Sequence, residues 1–239
     1  MTGDGELRPS ALVTSLGAVR ARISTACEAV GRDPQQVTLV AVTKTCPADD
    51  VAVLSRLGVN DIGESKDQEV RRKITELGPV ADVVRWHLVG RLQTNKAKSV
   101  VGYASAVHSL DRAKLARALA EAAAEHRATP LDVFLQISLD DDPERGGVAI
   151  AALPRLAATV VERPELRLRG VMAVPPIGVD PEAAFARLAE LSQQVQAEHP
   201  GADAISAGMS DDLEAAVRHG STHVRVGTAL LGRRKQVFS

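Results

Sequence analysis

The stretch TLVAVTKTCPADDVAVLSRLGVNDIGES, residues 38–65, decides the fold. TLVAVTK (38–44) is a short β-branched and apolar run, PADDVAVLSRLG carries apolar residues at helical spacing and closes on a glycine, and NDIGES (60–65) opens a second short run. A segment such as LVAV, apolar without alternation, fits a strand covered on both faces. Two strands separated by a helix pair in parallel through a crossover. The stretch is therefore a β/α unit, followed by the next helix, KDQEVRRKITELG.

The same alternation continues to the end of the chain. RWHLVG (85–90) leads to a short helical turn around TNKAKSVVG, and SAVHSL (105–110) to the long helix DRAKLARALAEAAAEHR. LDVFLQIS (131–138) passes through a polar loop to AIAALPRLAATVVER. LRLRGVMAV (166–174) leads to DPEAAFARLAELSQQVQAEH, where Asp180 and Pro181 read as cap and first-turn proline. ADAISAG (202–208) precedes SDDLEAAVRHG, with Ser210 as its expected N-cap, and THVRVGTALLG (222–232) is the eighth strand. Ahead of the first unit, Leu12, Leu16, Val19, Ile23, Cys27 and Val30 recur at helical steps from Pro9 to Gly31.

Eight β/α units in 239 residues match the roughly 250 of a closed barrel. An open doubly wound sheet fits less well, because its glycine-rich GxGxxG turn is absent. The expected fold is α/β, a single (β/α)8 TIM barrel with an extra N-terminal helix. Residues 1–8 form a flexible N-terminus and residues 9–236 the barrel domain.

Composition narrows the function. Hydrophobic residues make up 45% and charged residues 25% of the chain, which supports one sizeable, mainly aliphatic core. With 29 Lys+Arg against 30 Asp+Glu, the net charge of -1 gives no pull toward nucleic acid or anionic lipid. Trp86, Tyr103, Phe134, Phe185 and Phe238 lie too far apart to form a stacking platform. Cys27 and Cys46 are too few for a disulfide framework and read as reduced thiols. No basic leader and no membrane-spanning run is present, so a cytoplasmic location and a monomer are expected.

In a barrel the active site forms at the carboxyl ends of the strands. Lys44 ends LVAVTK, and period-two alternation puts it on the face of Val40 and Val42. Only seven of the 29 basic residues are lysines. A strand-end lysine is about as often a snorkelling surface group as a desolvated amine able to form an imine with a carbonyl. Gly208, Met209 and Ser210 in ISAGMSDDLEAA, with Gly227 and Thr228 in VRVGT, offer glycine-flanked backbone N–H groups in the loops after strands seven and eight, where barrels often hold phosphate. The acidic Asp211 and Asp212 serve equally well as ordinary helix-dipole partners. Arg225 lies between Val224 and Val226, which face the helices, so its guanidinium points inward and needs a partner. That partner is either a carboxylate such as Glu64 or an acceptor on a ligand. His87 and His108 also lie near strand ends, where satisfied core histidines are commoner than catalysts.

AVTK (41–44), WHLVGRLQTNK (86–96), GVMAVPP (170–176), SAGMSDDLEAAVRHGST (206–222) and VRVGTALLG (224–232), in that order, resemble the YggS/PROSC-type pyridoxal 5'-phosphate homeostasis proteins. The resemblance covers residues 37 to 232. It implies a barrel similar to the N-terminal domain of alanine racemases, with pyridoxal phosphate as cofactor held as an imine on Lys44. It further implies that Arg225 faces the pyridine nitrogen, that Ser210, Gly227 and Thr228 hold the phosphate, and that Met209 and Ser206 lie beside it. Two positions depart from the pattern. Ser65 stands where the family usually has asparagine, and Glu144-Arg145-Gly146-Gly147 replaces a Ser-Lys-x-Gly-like stretch.

Two functions share Lys44. One is a protein that buffers pyridoxal phosphate and delivers it to apo-enzymes, influencing amino-acid and keto-acid pools without robust turnover. The other is a racemase-like enzyme, which needs an acid/base on each face of the substrate. In racemases of this pattern the second group is a tyrosine from an additional β domain, whereas the only tyrosine here, Tyr103, precedes strand four at the far end of the barrel. An arginine at the ring nitrogen also makes the cofactor a poorer electron sink than a carboxylate would. The carrier is the favoured expectation.

Overall fold

The computed structural model describes residues 4–140, 146–176 and 178–232. Its strands are β1 (Thr38–Val42), β2 (Asp61–Glu64), β3 (Arg85–Leu88), β4 (Ala104–Leu110), β5 (Leu131–Gln136), β6 (Leu166–Met172), β7 (Ala204–Ser206) and β8 (His223–Val226). Each pairs in parallel with its sequence neighbours. β8 returns to β1, with Val40 beside Arg225 and Ala41 beside Val226, so the barrel closes. After the opening α1 (Asp4–Glu28), the helices are α2 (Ala48–Arg56), α3 (Asp67–Leu77), α4 (Ala97–Val101), α5 (Ala113–His126), α6 (Leu153–Val161), α7 (Pro181–Glu198), α8 (Leu213–Arg218) and α9 (Thr228–Leu231).

The expected barrel and its extra helix are both present. Helix α1 starts at Asp4, ahead of Pro9, and so takes in residues set apart above as a flexible N-terminus. Arg8 is tied to the barrel: its guanidinium forms a two-pronged bond with Asp50 of α2 and donates to the Leu231 carbonyl at 3.1 Å. Leu12, Leu16, Val19, Ile23 and Cys27 pack against Leu213, Val217, Leu230 and Leu231, while Val30, beyond the end of the helix, is exposed. The TALLG segment forms the short α9 instead of prolonging β8. The domain boundary at 236, Glu144, Arg145 and Phe238 lie outside the described residues.

Two large apolar clusters lie where the sheet meets the helices. A buried leucine or valine there stabilises the fold by about 1.5–3 kcal/mol. The barrel interior differs, because its own apolar cluster is only Ala106, Phe134, Met172 and Ala204. Strands β6 and β7 approach so closely that a Cβ at Gly170, where φ is +148°, would lie 1.8 Å from the Ala204 carbonyl oxygen. Only glycine fits there. No helix of the described residues is long and apolar enough to cross a membrane.

Candidate functional site

Alternation along β8 places Val224 and Val226 in the helix-facing cluster and Arg225 in the interior, 5% exposed. Arg225 Nη1 donates to the Ser206 carbonyl and to Ser206 Oγ, each at 2.6 Å, and Nη2 donates to the Ala173 carbonyl at 3.0 Å. All three acceptors are neutral. Burial lowers the pKa of the guanidinium to about 10, with Asp212 as the opposing charge. Glu64, the carboxylate that the sequence offers as partner, is engaged elsewhere. Gly63 packs on Val40 and Val42 of the interior face, so its neighbour Glu64 points outward, where Lys73 of α3 donates to it at 2.5 Å.

The loops after β7 and β8 meet above this pair. Ser210 Oγ accepts the Ala229 N–H at 3.0 Å, which ties the Gly208–Ser210 loop to the Gly227–Thr228 turn. The cap of α8 is Asp212, whose Oδ1 takes the Met209 N–H at 2.5 Å, so Ser210 bridges loops instead of capping the helix. Gly208 has φ +89°, and a Cβ there would lie 2.7 Å from Ala216 Cβ. Glycine lets this loop lie down on α8. Met209 is 37% exposed at the rim, Thr228 is exposed and Gly227 half-buried.

Lys44 does not continue the strand. Residues 43–46 form a tight turn closed by a bond from Cys46 N–H to the Thr43 carbonyl (2.9 Å), and Lys44 is exposed on it. Thr45 has φ 63°, the one non-glycine residue with positive φ among those described, and strain of this kind costs on the order of 1–3 kcal/mol. The surroundings hold it. Thr45 N–H donates to Glu69, Thr43 Oγ1 to Glu64 Oε1 (2.6 Å), and Lys73 Nζ to both Glu64 and the Thr43 carbonyl (2.7 Å). A Cβ at Gly227 would stand 3.3 Å from the Val42 carbonyl oxygen. The Lys44 turn therefore leaves the barrel next to the Gly227–Thr228 turn, so one mouth gathers Lys44, Ser206, Ser210, Arg225, Gly227 and Thr228, with Met209 at its edge.

Glu69 and Lys73 escape a motif search. One signal was available, since Lys73 falls on the apolar stripe of α3 with Val70 and Leu77, where a lysine needs a buried partner. Ser65 directly follows β2, at the same end of the barrel. It lines a cavity of about 300 Å³ with Lys66, Arg91 and Lys96 between the loops after β2 and β3. Tyr103 enters β4 from the N-terminal end, with its hydroxyl buried toward Asp67.

His87, His108 and His223 occupy the interior, with His108 stacked on Phe134 at 4.3 Å between ring centroids. Burial is the largest cause pushing His108 well below the usual histidine range and His223 to about 4. Both rings therefore stay neutral in the folded protein while the unfolded chain takes up protons below about pH 6.5. Their stabilising contribution is complete above that pH and is lost as pH falls. As pH falls from about 6.5 to 5, each ring should reduce the unfolding free energy by about 1 kcal/mol per pH unit. Urea unfolding across that range checks this, and a flat profile would show the rings to be charged in the fold.

Residues 14–235 match the family model of the alanine racemase N-terminal domain. The pyridoxal phosphate homeostasis protein of Mycobacterium bovis is 46% identical over 244 residues, covering 95% of each chain. The protein of the same name from Escherichia coli K12 is 39% identical, covering 92% of this chain and 95% of that one. Among solved structures, PipY of Synechococcus elongatus PCC7942 with PLP bound superimposes with a TM-score of 0.75 at 32% identity, covering 88% of this chain and all of that one. With relatives this similar over nearly their whole length, the chain belongs to the pyridoxal phosphate homeostasis protein family.

Proposed function

We propose that this protein binds pyridoxal 5'-phosphate at the mouth formed by β1, β7 and β8, and serves as a carrier that holds the cofactor and passes it to apo-enzymes. The observation that carries the reading is Arg225, a buried cation held by three neutral acceptors. These bonds use three of its five N–H groups, leaving donors for a neutral acceptor such as a pyridine nitrogen. The PLP-bound PipY structure and the shared family name support the same ligand.

The residues fit the group. Lys44 would hold the cofactor through its primary amine, and the strained turn at Thr45 fixes the backbone that carries it. The joined loops of Ser210, Gly227 and Thr228 receive the phosphate, with Ser206 and Met209 beside the ring. Bound in this way, the cofactor supplies an electrophilic carbon and an electron sink. Racemisation would need a second acid/base facing Lys44, and Tyr103 packs on the helix-facing clusters with its hydroxyl buried. The buried thiols of Cys27 and Cys46 suit the reducing cytoplasm.

A positioned proton-transfer group is typically worth 10²–10⁴-fold in rate. With Lys44 as the one such group this reading assigns among the described residues, loaded protein incubated with each L-amino acid should give no D-isomer, decarboxylation or transamination above free pyridoxal phosphate. It should restore activity to an apo-enzyme. Chiral chromatography and an apo-enzyme reconstitution assay test the two halves. Protein-dependent D-amino acid that disappears in Lys44→Ala would establish the racemase instead.

A further inference from the structure

Five side chains from five strands are linked in single file through the barrel. Arg225 Nη1 lies 2.6 Å from Ser206 Oγ, which lies 2.8 Å from His108 Nδ1. His108 Nε2 lies 2.8 Å from His87 Nδ1, and His87 Nε2 lies 3.0 Å from Asp61 Oδ1. Asp61 is the first residue of β2 and Ser206 the last of β7, so the line climbs from the N-terminal end of the barrel to its mouth. The two rings and Ser206 are each 6% exposed or less.

We propose that Asp61, His87 and His108 are positioning residues for Arg225, joined to it through Ser206 by a hydrogen-bonded chain with one fixed direction. The ends fix it. A carboxylate only accepts, so His87 carries a proton on Nε2; the proposed chain has a single proton on that ring, so it accepts at Nδ1, which requires a proton on His108 Nε2. A neutral His108 then accepts at Nδ1, and the only donor facing it is the Ser206 hydroxyl. Having given its one hydrogen to His108, Ser206 turns its lone pairs to the guanidinium, which only donates. Every polar atom is satisfied in this arrangement, and in no other with both rings neutral.

The charged and polar neighbours agree with it. Arg85 forms a two-pronged bond with Asp61 and keeps it ionised. His223 lies 6.0 Å from His108 and 6.4 Å from His87 between ring centroids, and its Nδ1 is bonded to Thr222, outside the chain. Arg169 acts on His223, and Asp212 acts on Arg225 from the mouth. Losing the acceptor at Asp61 removes what holds His87 in its tautomer and permits the reverse chain. In that state His108 Nδ1–H donates to Ser206 Oγ, both lone pairs of that oxygen are taken by His108 and Arg225, and its hydrogen loses the acceptor that held it.

The consequence for ligand retention rests on the function proposed above, whereas the tautomers do not, so the two are read separately. Full-length protein labelled with ¹⁵N at histidine, without added cofactor, should show His87 and His108 as neutral Nε2–H tautomers in long-range ¹H–¹⁵N spectra, with assignments from single replacements. In Asp61→Ala, His108 should move toward the Nδ1–H form although it does not touch residue 61, and loaded protein should release pyridoxal phosphate about fivefold faster. A packing role would leave the His108 nitrogens unchanged. An Nδ1–H or cationic His108 in the parent overturns the proposal, as do unshifted His108 nitrogens or unchanged release in folded Asp61→Ala. If Asp61→Ala does not fold, the parent tautomers decide. If the parent retains no cofactor while its tautomers are as described, the carrier reading falls and the chain stands.

Discussion

Lys44→Ala protein, prepared alongside the parent, should lose the visible absorption of bound pyridoxal phosphate and fail to retain it through dialysis. Borohydride treatment of the loaded parent, followed by peptide mapping, should leave the pyridoxyl group on Lys44. The reason is geometric. Lys44 sits at the head of a turn whose neighbour Thr45 is held at positive φ by Glu69, and whose other side is fixed by Thr43, Glu64 and Lys73. A backbone strained and secured to this extent marks a side chain whose direction matters. Lys66 and Lys96 border the cavity between the loops after β2 and β3, and Lys98 lies on α4, paired with Glu125. Label mainly on one of these three would refute the assignment.

Removing the phosphate should have the second large effect. The loops after β7 and β8 are locked together by the Ser210–Ala229 bond and kept close to α8 by Gly208, which leaves a preorganised rim of hydroxyl and backbone groups at the mouth. Charge-assisted hydrogen bonds are each worth about 1.5–3 kcal/mol. Loss of two or more predicts that pyridoxal binds at least about 100-fold more weakly than pyridoxal phosphate. Equilibrium dialysis of both compounds measures the ratio. Equal retention would place the phosphate away from Ser210, Gly227 and Thr228.

The alternation of apolar runs with helical spacing was enough to fix the barrel, because parallel pairing and a closed sheet follow from pattern and length alone. The same period-two rule turned Arg225 inward and applied equally to Glu64, whose neighbour Gly63 faces the interior. It failed at Lys44, since the strand ends at Val42 and a turn closed by Cys46 takes over. Element ends depend on such local bonds, and hydropathy does not record them. Ser210 shows the same limit: a serine before Asp211 and Asp212 reads as a cap, yet Asp212 takes that place and Ser210 reaches Ala229, 19 residues away.

By itself the sequence determined the barrel, the order of its strands and the inward guanidinium. These follow from short-range periodicity and side-chain chemistry. Tertiary structure alone decided which groups meet. Lys73 sits on an otherwise apolar helical stripe, and only the closed barrel shows that its partners are Glu64 and the turn carrying Lys44. His87 and His108 read as two unrelated core histidines until β3 and β4 bring their rings to 2.8 Å and β7 supplies Ser206. Hydrogen bonds need a distance and a direction, both set by the register of strands far apart in the chain, and no one-dimensional pattern carries that information.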